Sequence, residues 1–286
     1  IADIGALTPF TVTGTSIAAT GATATKGIDS TNATVTVSSC TLTADLGGTA
    51  VVVNSGTVTF KDSTVTGSSG KGVSVASGTA TISGSTFSTL ETALEVTGSS
   101  TAVTLMTSTI KDCSSNAIYV NAAVASGVII KGNTISGTKA ALVPPGYYAL
   151  NLGTGAATAN VSMLFNNITG NAANVYAGTG VAVDASHNWW GAATGPALGT
   201  VSGTAVVTLP YLGGAVTTAA DIALAKASLV AKTTANVDVS IVTATTGVPA
   251  VAGIIAAGNY AANPVTVAPP YTALANGYYD VYVGSP

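Results

Sequence analysis

The chain has 286 residues, of which 47% are hydrophobic and only 7% are charged, and its formal net charge at pH 7 is −3. All eight basic residues are lysines, and their scatter along the sequence excludes the basic stripe that a nucleic-acid partner requires. Thr, Ser, Gly or Asn interrupts every apolar stretch, which excludes a membrane-spanning helix of about 20 apolar residues.

Residues 1–29 are apolar and rich in threonine. They are predicted to cap the first coil of the repeat that follows or to form an incomplete coil, because natural proteins cover an open sheet edge. The alternative is an arm that pairs with another subunit by strand addition, with Phe10 and Val12 as candidate assembly residues. The chain begins with Ile1 and no leader precedes it, which predicts an exported protein whose signal peptide has been removed; a trimmed sequence is the alternative.

A short phrase recurs between residues 30 and 212 and predicts a stack of coils. Each copy ends on an apolar residue, and the copies are Cys40-Thr41-Leu42, Ser63-Thr64-Val65, Ser85-Thr86-Phe87, Ser108-Thr109-Ile110, Asn133-Thr134-Ile135, Asn166-Asn167-Ile168 and His187-Asn188-Trp189. They are about 22 residues apart, with one longer interval of about 33 residues. Stacking places the first residues of the phrases, which from Ser63 to His187 are polar, in one column that is predicted to form a hydrogen-bonded ladder. Two further phases place apolar residues at i and i+2, as in Val51 with Val53 and Val58 with Phe60. Three short strands per coil and about seven coils of parallel β-helix follow; a β-sandwich is the alternative.

The longer interval contains Pro144-Pro145-Gly146-Tyr147-Tyr148. Proline donates no backbone hydrogen bond, so this segment is predicted to leave the strand ladder and loop out from the coil. Tyr147 and Tyr148 are candidate assembly residues there, and packing of their rings over the flank of the coil is the alternative.

The end of the repeat reads His187-Asn188-Trp189-Trp190-Gly191 and then Gly195-Pro196, with Leu209-Pro210-Tyr211-Leu212 further on. This stretch resembles the closing segment of secreted right-handed β-helix proteins of the pectate-lyase-like superfamily, and the coil pattern extends the resemblance over about 180 residues. The resemblance implies a right-handed helix. Trp189, Trp190 and Pro196 are predicted to form a structural cap, and a sugar-stacking platform is the alternative for the tryptophans.

Residues 213–286 are predicted to form a linker and a small β-sandwich-like domain, so the fold class is all-β throughout. Alanine content favours a short helix or linker over residues 218–231, and a strand resumes at residues 237–241. The tail resembles a small β-domain at the ends of exported prokaryotic surface proteins. Its alternating Tyr279 and Tyr282 are candidate assembly residues.

The sequence predicts no catalytic residue, no metal site and no cofactor. Superfamily members that cleave polyuronates use aspartates with an arginine or lysine base, and this chain has no arginine. Asp62 and Asp112 stand at comparable places but two coils apart, or about 10 Å, so they are interpreted as solvated charges. Asp184 and His187 lack the further partners that acid–base or metal chemistry needs.

The only cysteines, Cys40 and Cys113, are three coils apart, or about 14 Å, which is too far for a disulfide. Both are predicted to be buried thiols. Asn32, Asn160 and Asn167 head Asn-X-Ser/Thr triplets and are candidate glycosylation sites, although threonine-rich sequences also produce such triplets by chance.

These observations favour a non-enzymatic extracellular structural protein, a self-assembling subunit of a cell-surface layer or filament whose partners are copies of itself. The alternative is a carbohydrate-binding or adhesive module that contacts a cell-surface or environmental polysaccharide. A polysaccharide lyase or hydrolase is the third hypothesis.

Overall fold

The computed structural model describes residues 9–21, 25–98, 100–124, 127–139, 147–156, 161–192, 194–203, 205–208, 211–212 and 215–216, together with the backbone of two strands nearer the C-terminus. The chain divides into two units, Ile1–Tyr211 and Leu212–Pro286. In the described part of the first unit the chain winds so that each coil adds one strand to each of three parallel sheets. The predicted parallel β-solenoid is confirmed.

The first sheet, sheet A, has nine strands that lie in chain order. With strands numbered along the chain, they are β1 (Phe10–Thr13), β4 (Ala33–Ser38), β7 (Gly56–Lys61), β10 (Gly78–Ser83), β13 (Ser100–Met106), β16 (Val128–Lys131), β19 (Val161–Leu164), β22 (Val183–Asp184) and β24 (Val206–Val207).

The second and third sheets, sheets B and C, have seven and eight strands. Sheet B consists of β2 (Ser16–Ala19), β5 (Thr41–Ala44), β8 (Thr64–Thr66), β11 (Thr86–Ser88), β14 (Thr109–Lys111), β17 (Thr134–Ser136) and β20 (Asn167–Thr169). Sheet C consists of β3 (Lys26–Ser30), β6 (Thr49–Val53), β9 (Lys71–Val75), β12 (Thr92–Val96), β15 (Ile118–Val120), β18 (Leu150–Leu152), β21 (Val175–Ala177) and β23 (Val201–Ser202). A single turn of 3-10 helix, Thr154–Ala156, follows β18.

The core is a set of apolar columns that run along the solenoid. Val65, Phe87 and Ile110 pair in register on neighbouring strands of sheet B, and each is at most 1% exposed. A strand of three residues cannot bury its apolar face alone, but stacked coils bury these faces against one another. The in-register column and the parallel pairing exclude the β-sandwich alternative for this unit.

The N-terminal residues extend the solenoid further than the repeat predicts. β1 pairs in parallel with β4, and β2 pairs with β5, so the incomplete-coil alternative describes residues 10–19. Val12 is buried in the core and Phe10 packs against it; an assembly contact by either residue stays a prediction. With these strands and the last short strands of sheets A and C, the solenoid has about eight coils, where the phrase alone predicts about seven.

The predicted register of the last phrase is wrong by one residue. Trp189 pairs with Asn167, which places Asn188 opposite Asn166 and Trp190 opposite Ile168. Asn188, and not His187, therefore occupies the polar column, and Trp190 takes the apolar position.

Two strands are described in the second unit. β25 (Leu229–Lys232) pairs antiparallel with β26 (Gly277–Asp280). The helix predicted for residues 218–231 is wrong at Leu229, Val230 and Ala231, which are in a strand. Tyr279 lies in β26, whereas the predicted strand at residues 237–241 and Tyr282 fall outside the described residues.

Candidate functional site

The corner between sheets A and B has the same left-handed backbone conformation in eight successive coils. Its φ lies between 47° and 67° at Gly14, Ser39, Asp62, Gly84, Thr107, Gly132, Phe165 and His187. Only three of these residues are glycines, although a left-handed conformation costs an ordinary residue about 1–2 kcal/mol. The corner is therefore imposed by the stack of coils and not by local preference.

A buried polar ladder follows this corner. In each rung the backbone N–H of one coil donates to the side-chain oxygen of the equivalent residue in the next coil, at 2.8–3.2 Å. The ladder residues are Cys40, Ser63, Ser85, Ser108, Asn133, Asn166 and Asn188. All seven are buried, so the predicted hydrogen-bonded column exists, with Asn188 in place of His187.

Serine and asparagine satisfy the ladder in different ways. The Ser85 hydroxyl donates to the carbonyl of Ser83 and accepts a hydrogen bond from the backbone N–H of Ser63 in the preceding coil. The Asn166 side-chain amide donates to Asn188 Oδ1 and to the carbonyls of Ile130 and Leu164. Asparagine thus supplies hydrogen bonds to backbone groups of more than one coil. Buried polar groups need such partners.

His187 contacts a hydroxyl that the sequence analysis did not single out. Ser186 Oγ lies 2.7 Å from His187 Nδ1, and the Asp184 carboxylate accepts a hydrogen bond from the Ser186 backbone N–H at 3.0 Å. Ser186 and His187 are each 3% exposed, and the His187 ring packs 5.3 Å from the Phe165 ring. Serine–histidine contact is the geometry of an activated nucleophile, but here both groups are buried and the carboxylate orients the serine backbone.

Asp62 and Asp112 do not occupy comparable places, so that part of the sequence interpretation is wrong. Asp62 precedes the ladder residue Ser63 and lies at the corner between sheets A and B, whereas Asp112 follows β14 at the opposite end of a sheet B strand. Asp62 is exposed. The two carboxylates therefore do not form a pair on one face.

The two cysteines are buried and not bridged, as predicted. The Cys40 thiol contacts the carbonyls of Val12 and Ser38. Burial raises the pKa of the Cys113 thiol to about 12, against a partial lowering by a hydrogen bond with the backbone of Ala93.

The three predicted cap residues differ in burial. Trp190 is 6% exposed and belongs to the core, and its indole N–H has no hydrogen-bond partner within the described part of the chain. Trp189 and Pro196 are only partly buried. The tryptophans differ because alternate residues of a strand face opposite sides; the cap itself stays a prediction.

The two tyrosines of the long interval also differ. Tyr148 is 9% exposed and its ring lies 5.4 Å from the ring of Tyr176 on the neighbouring coil. Burial, with Tyr176 nearby, raises the pKa of the Tyr148 hydroxyl. The packing alternative therefore describes Tyr148, while Tyr147 is half-buried. An assembly contact by either ring stays a prediction.

Two of the candidate glycosylation residues are described. Asn32 is exposed at a turn, where its Oδ1 accepts a hydrogen bond from Ser55 Oγ. Asn167 is partly buried on sheet B, with its Nδ2 3.5 Å from Thr134 Oγ1. Asn160 lies outside the described residues, and glycosylation of all three remains a prediction.

Within the described ranges, no group of three or more His, Cys, Asp or Glu residues is placed to hold a metal ion. The same part of the chain contains no helix with the length and apolar character needed to cross a membrane.

The fold defines the class as a parallel β-solenoid. The family model described as right handed beta helix region matches residues 22–189, which is more than half of the chain. The chain therefore belongs to the right-handed β-helix family. Neither the search of curated proteins nor the search of solved structures gave a significant match.

Proposed function

We propose that this protein is a non-enzymatic extracellular structural protein that assembles with copies of itself in a surface layer or filament. The proposal is supported chiefly by the in-register parallel pairing that continues through about eight coils in all three sheets. A parallel strand edge that accepts the next coil of its own chain is also suited to accept a coil of another copy.

The low charge of the chain supports the same proposal. Only 7% of the residues are charged, so electrostatic repulsion between neighbouring copies is weak. The burial of Ser186 and His187 favours a structural role for this pair, because a substrate would have no access to it.

Self-assembly is tested by light scattering and negative-stain electron microscopy of the purified protein over a range of concentrations. Thr13→Lys places a charge on the first strand of sheet A, where lysine opposes edge pairing. Thr43→Lys is the matched control, because it adds the same charge to an outward position inside the stack. We expect assemblies for the native chain and the control and fewer for Thr13→Lys; monomers alone at every concentration would overturn the proposal.

A second candidate function, carbohydrate binding, is favoured by Trp189. Its ring is partly exposed next to the outward face of sheet B, and exposed aromatic rings can stack on sugars. Tryptophan fluorescence titrated with a panel of soluble polysaccharides tests this function, with Trp189→Ala as the binding-deficient variant. An emission spectrum that no polysaccharide alters would count against it.

A further inference from the structure

Eight threonines form a regular array on the outward face of sheet A. We call this array the threonine face; it consists of Thr11, Thr34, Thr36, Thr57, Thr59, Thr79, Thr81 and Thr104. Register places Thr11, Thr36, Thr59, Thr81 and Thr104 in one column of five coils, and Thr34, Thr57 and Thr79 in the column beside it.

The hydroxyls of the threonine face make no hydrogen bond with any residue that the structure describes. Thr11 and Thr34 are exposed and the other six are partly buried. The hydrogen bonds of the described part of the chain include none made by the side chains of these eight residues, whereas the neighbouring Thr13 hydroxyl bonds with Ser38. The array therefore offers hydroxyls and methyl groups to a surface outside the protein.

The backbone fixes the spacing of this array in two directions. Neighbouring coils repeat every ~4.8 Å, and residues i and i+2 on one strand are about 6.6 Å apart. Stacked threonines have stiff side chains, since a β-branched residue has a restricted χ1. The coil repeat is close to an oxygen–oxygen repeat on the prism face of hexagonal ice, and the repeat along the strand is shorter than the second repeat of that face.

We propose that the threonine face binds the oxygen lattice of ice. This function goes beyond the structural role above and does not depend on it. Hydroxyls take the places of lattice water molecules, and the methyl groups between them limit the mobility of the intervening water. The array contains no charged side chain, which suits a neutral lattice; the nearest charge on β7 is Lys61, two residues beyond Thr59.

The size and composition of the threonine face argue against other occupants. Five coils span about 19 Å, so two columns cover roughly 200 Å², well below the ~800 Å² per partner of a stable protein interface. The array also lacks the aromatic and arginine side chains that dominate such interfaces. The same lack of aromatic rings disfavours sugar stacking at this face.

The test is ice shaping and thermal hysteresis of the purified monomeric fraction, which separates ice binding from self-assembly. Thr59→Lys, in the middle of the five-threonine column, is expected to abolish both signals because the lysine side chain holds the face away from the lattice. Thr66→Lys is the matched control on sheet B, where Lys111 already occupies the same outward column. It is expected to retain both signals.

Two further variants separate the methyl group from the hydroxyl. Thr59→Val keeps the branched shape and Thr59→Ser keeps the hydroxyl, and both should retain more activity than Thr59→Lys. Circular dichroism and melting curves show whether each variant is folded. No ice shaping by the folded native chain, or equal loss in Thr59→Lys and Thr66→Lys, would overturn the proposal.

Discussion

Truncation of Asn166 is expected to destabilise the solenoid more than truncation of the asparagine that follows it. Asn166 is fully buried, and its Oδ1 accepts hydrogen bonds from the backbone N–H and the side-chain amide of Asn133, both at 2.9 Å. Asn166→Ala leaves the Asn133 N–H without an acceptor and the carbonyls of Ile130 and Leu164 without one of their donors.

The magnitude follows from the groups left unsatisfied. A buried donor or acceptor that loses its partner costs about 1–3 kcal/mol, and several groups are affected here. Allowing for partial relaxation, the free energy of unfolding should fall by about 3–5 kcal/mol. Asn166→Ser should recover part of this loss, because serine fills the same ladder position at Ser85 and Ser108.

Urea unfolding followed by far-UV circular dichroism measures these differences, and amide hydrogen exchange at Asn133 localises them. Asn167→Ala is the control, since it removes the same side chain from the outward face and should change stability by less than about 1 kcal/mol. Equal destabilisation by the two alanine variants, or a loss below about 1 kcal/mol for Asn166→Ala, would refute the role given to the ladder.

Three further predictions concern the corner, a thiol and an ion pair. Thr107→Asn should raise the free energy of unfolding by up to about 1 kcal/mol, because Asn tolerates the left-handed conformation better than a β-branched residue. The melting temperature should rise with it, and a lower melting temperature contradicts the prediction. The Cys113 pKa of about 12, against 9.0 for an ordinary thiol, means that the unfolded thiol ionises first as pH rises. The contribution of this thiol to stability should therefore be constant below pH 9 and should fall by up to about 1.4 kcal/mol per pH unit from there to about pH 12, so urea titrations should show a shallower slope for Cys113→Ala over that range. The Lys71–Glu95 ion pair joins adjacent coils at 2.7 Å with both side chains partly exposed, so Glu95→Gln should cost at most about 1 kcal/mol, and a larger loss that persists in high salt contradicts this.

The coil architecture could be predicted because the stack makes equivalent positions share one environment. Val65, Phe87 and Ile110 must all fit the same column, so their apolar character recurs in the sequence at the coil spacing. The polar ladder was visible for the same reason, as a recurrent Ser or Asn two residues before each of these apolar residues.

The sequence could not determine the last register. His187 and Asn188 are both polar, and Trp189 and Trp190 are both large, so two alignments one residue apart satisfy the same pattern. Only backbone pairing of Trp189 with Asn167 decides between them. The one-residue error in register also explains why the Ser186–His187 contact could not be predicted, because it places His187 in the ladder and not at the corner.

The predicted equivalence of Asp62 and Asp112 is wrong because their neighbouring residues in the sequence are similar while their places in the fold differ. Each follows a lysine at the end of a short strand, but the strands belong to different sheets: β7 is in sheet A and β14 is in sheet B. Sheets A and B are joined by a corner of only a few residues, so a small error in assigning strands moves a side chain to another side of the solenoid. The N-terminal strands were uncertain because residues 10–19 lack the recurrent phrase.

The rungs of the polar ladder all point one way, so the two ends of the solenoid are chemically different. Each rung runs from an N–H in an earlier coil to an oxygen in a later one, and the first ladder residue, Cys40, has a thiol where the later residues have oxygen. In the proposed assembly, copies that continue this direction can join only head to tail. Such a contact is heterologous, and growth by it produces a polar fibre with distinguishable tips instead of a closed two-fold dimer.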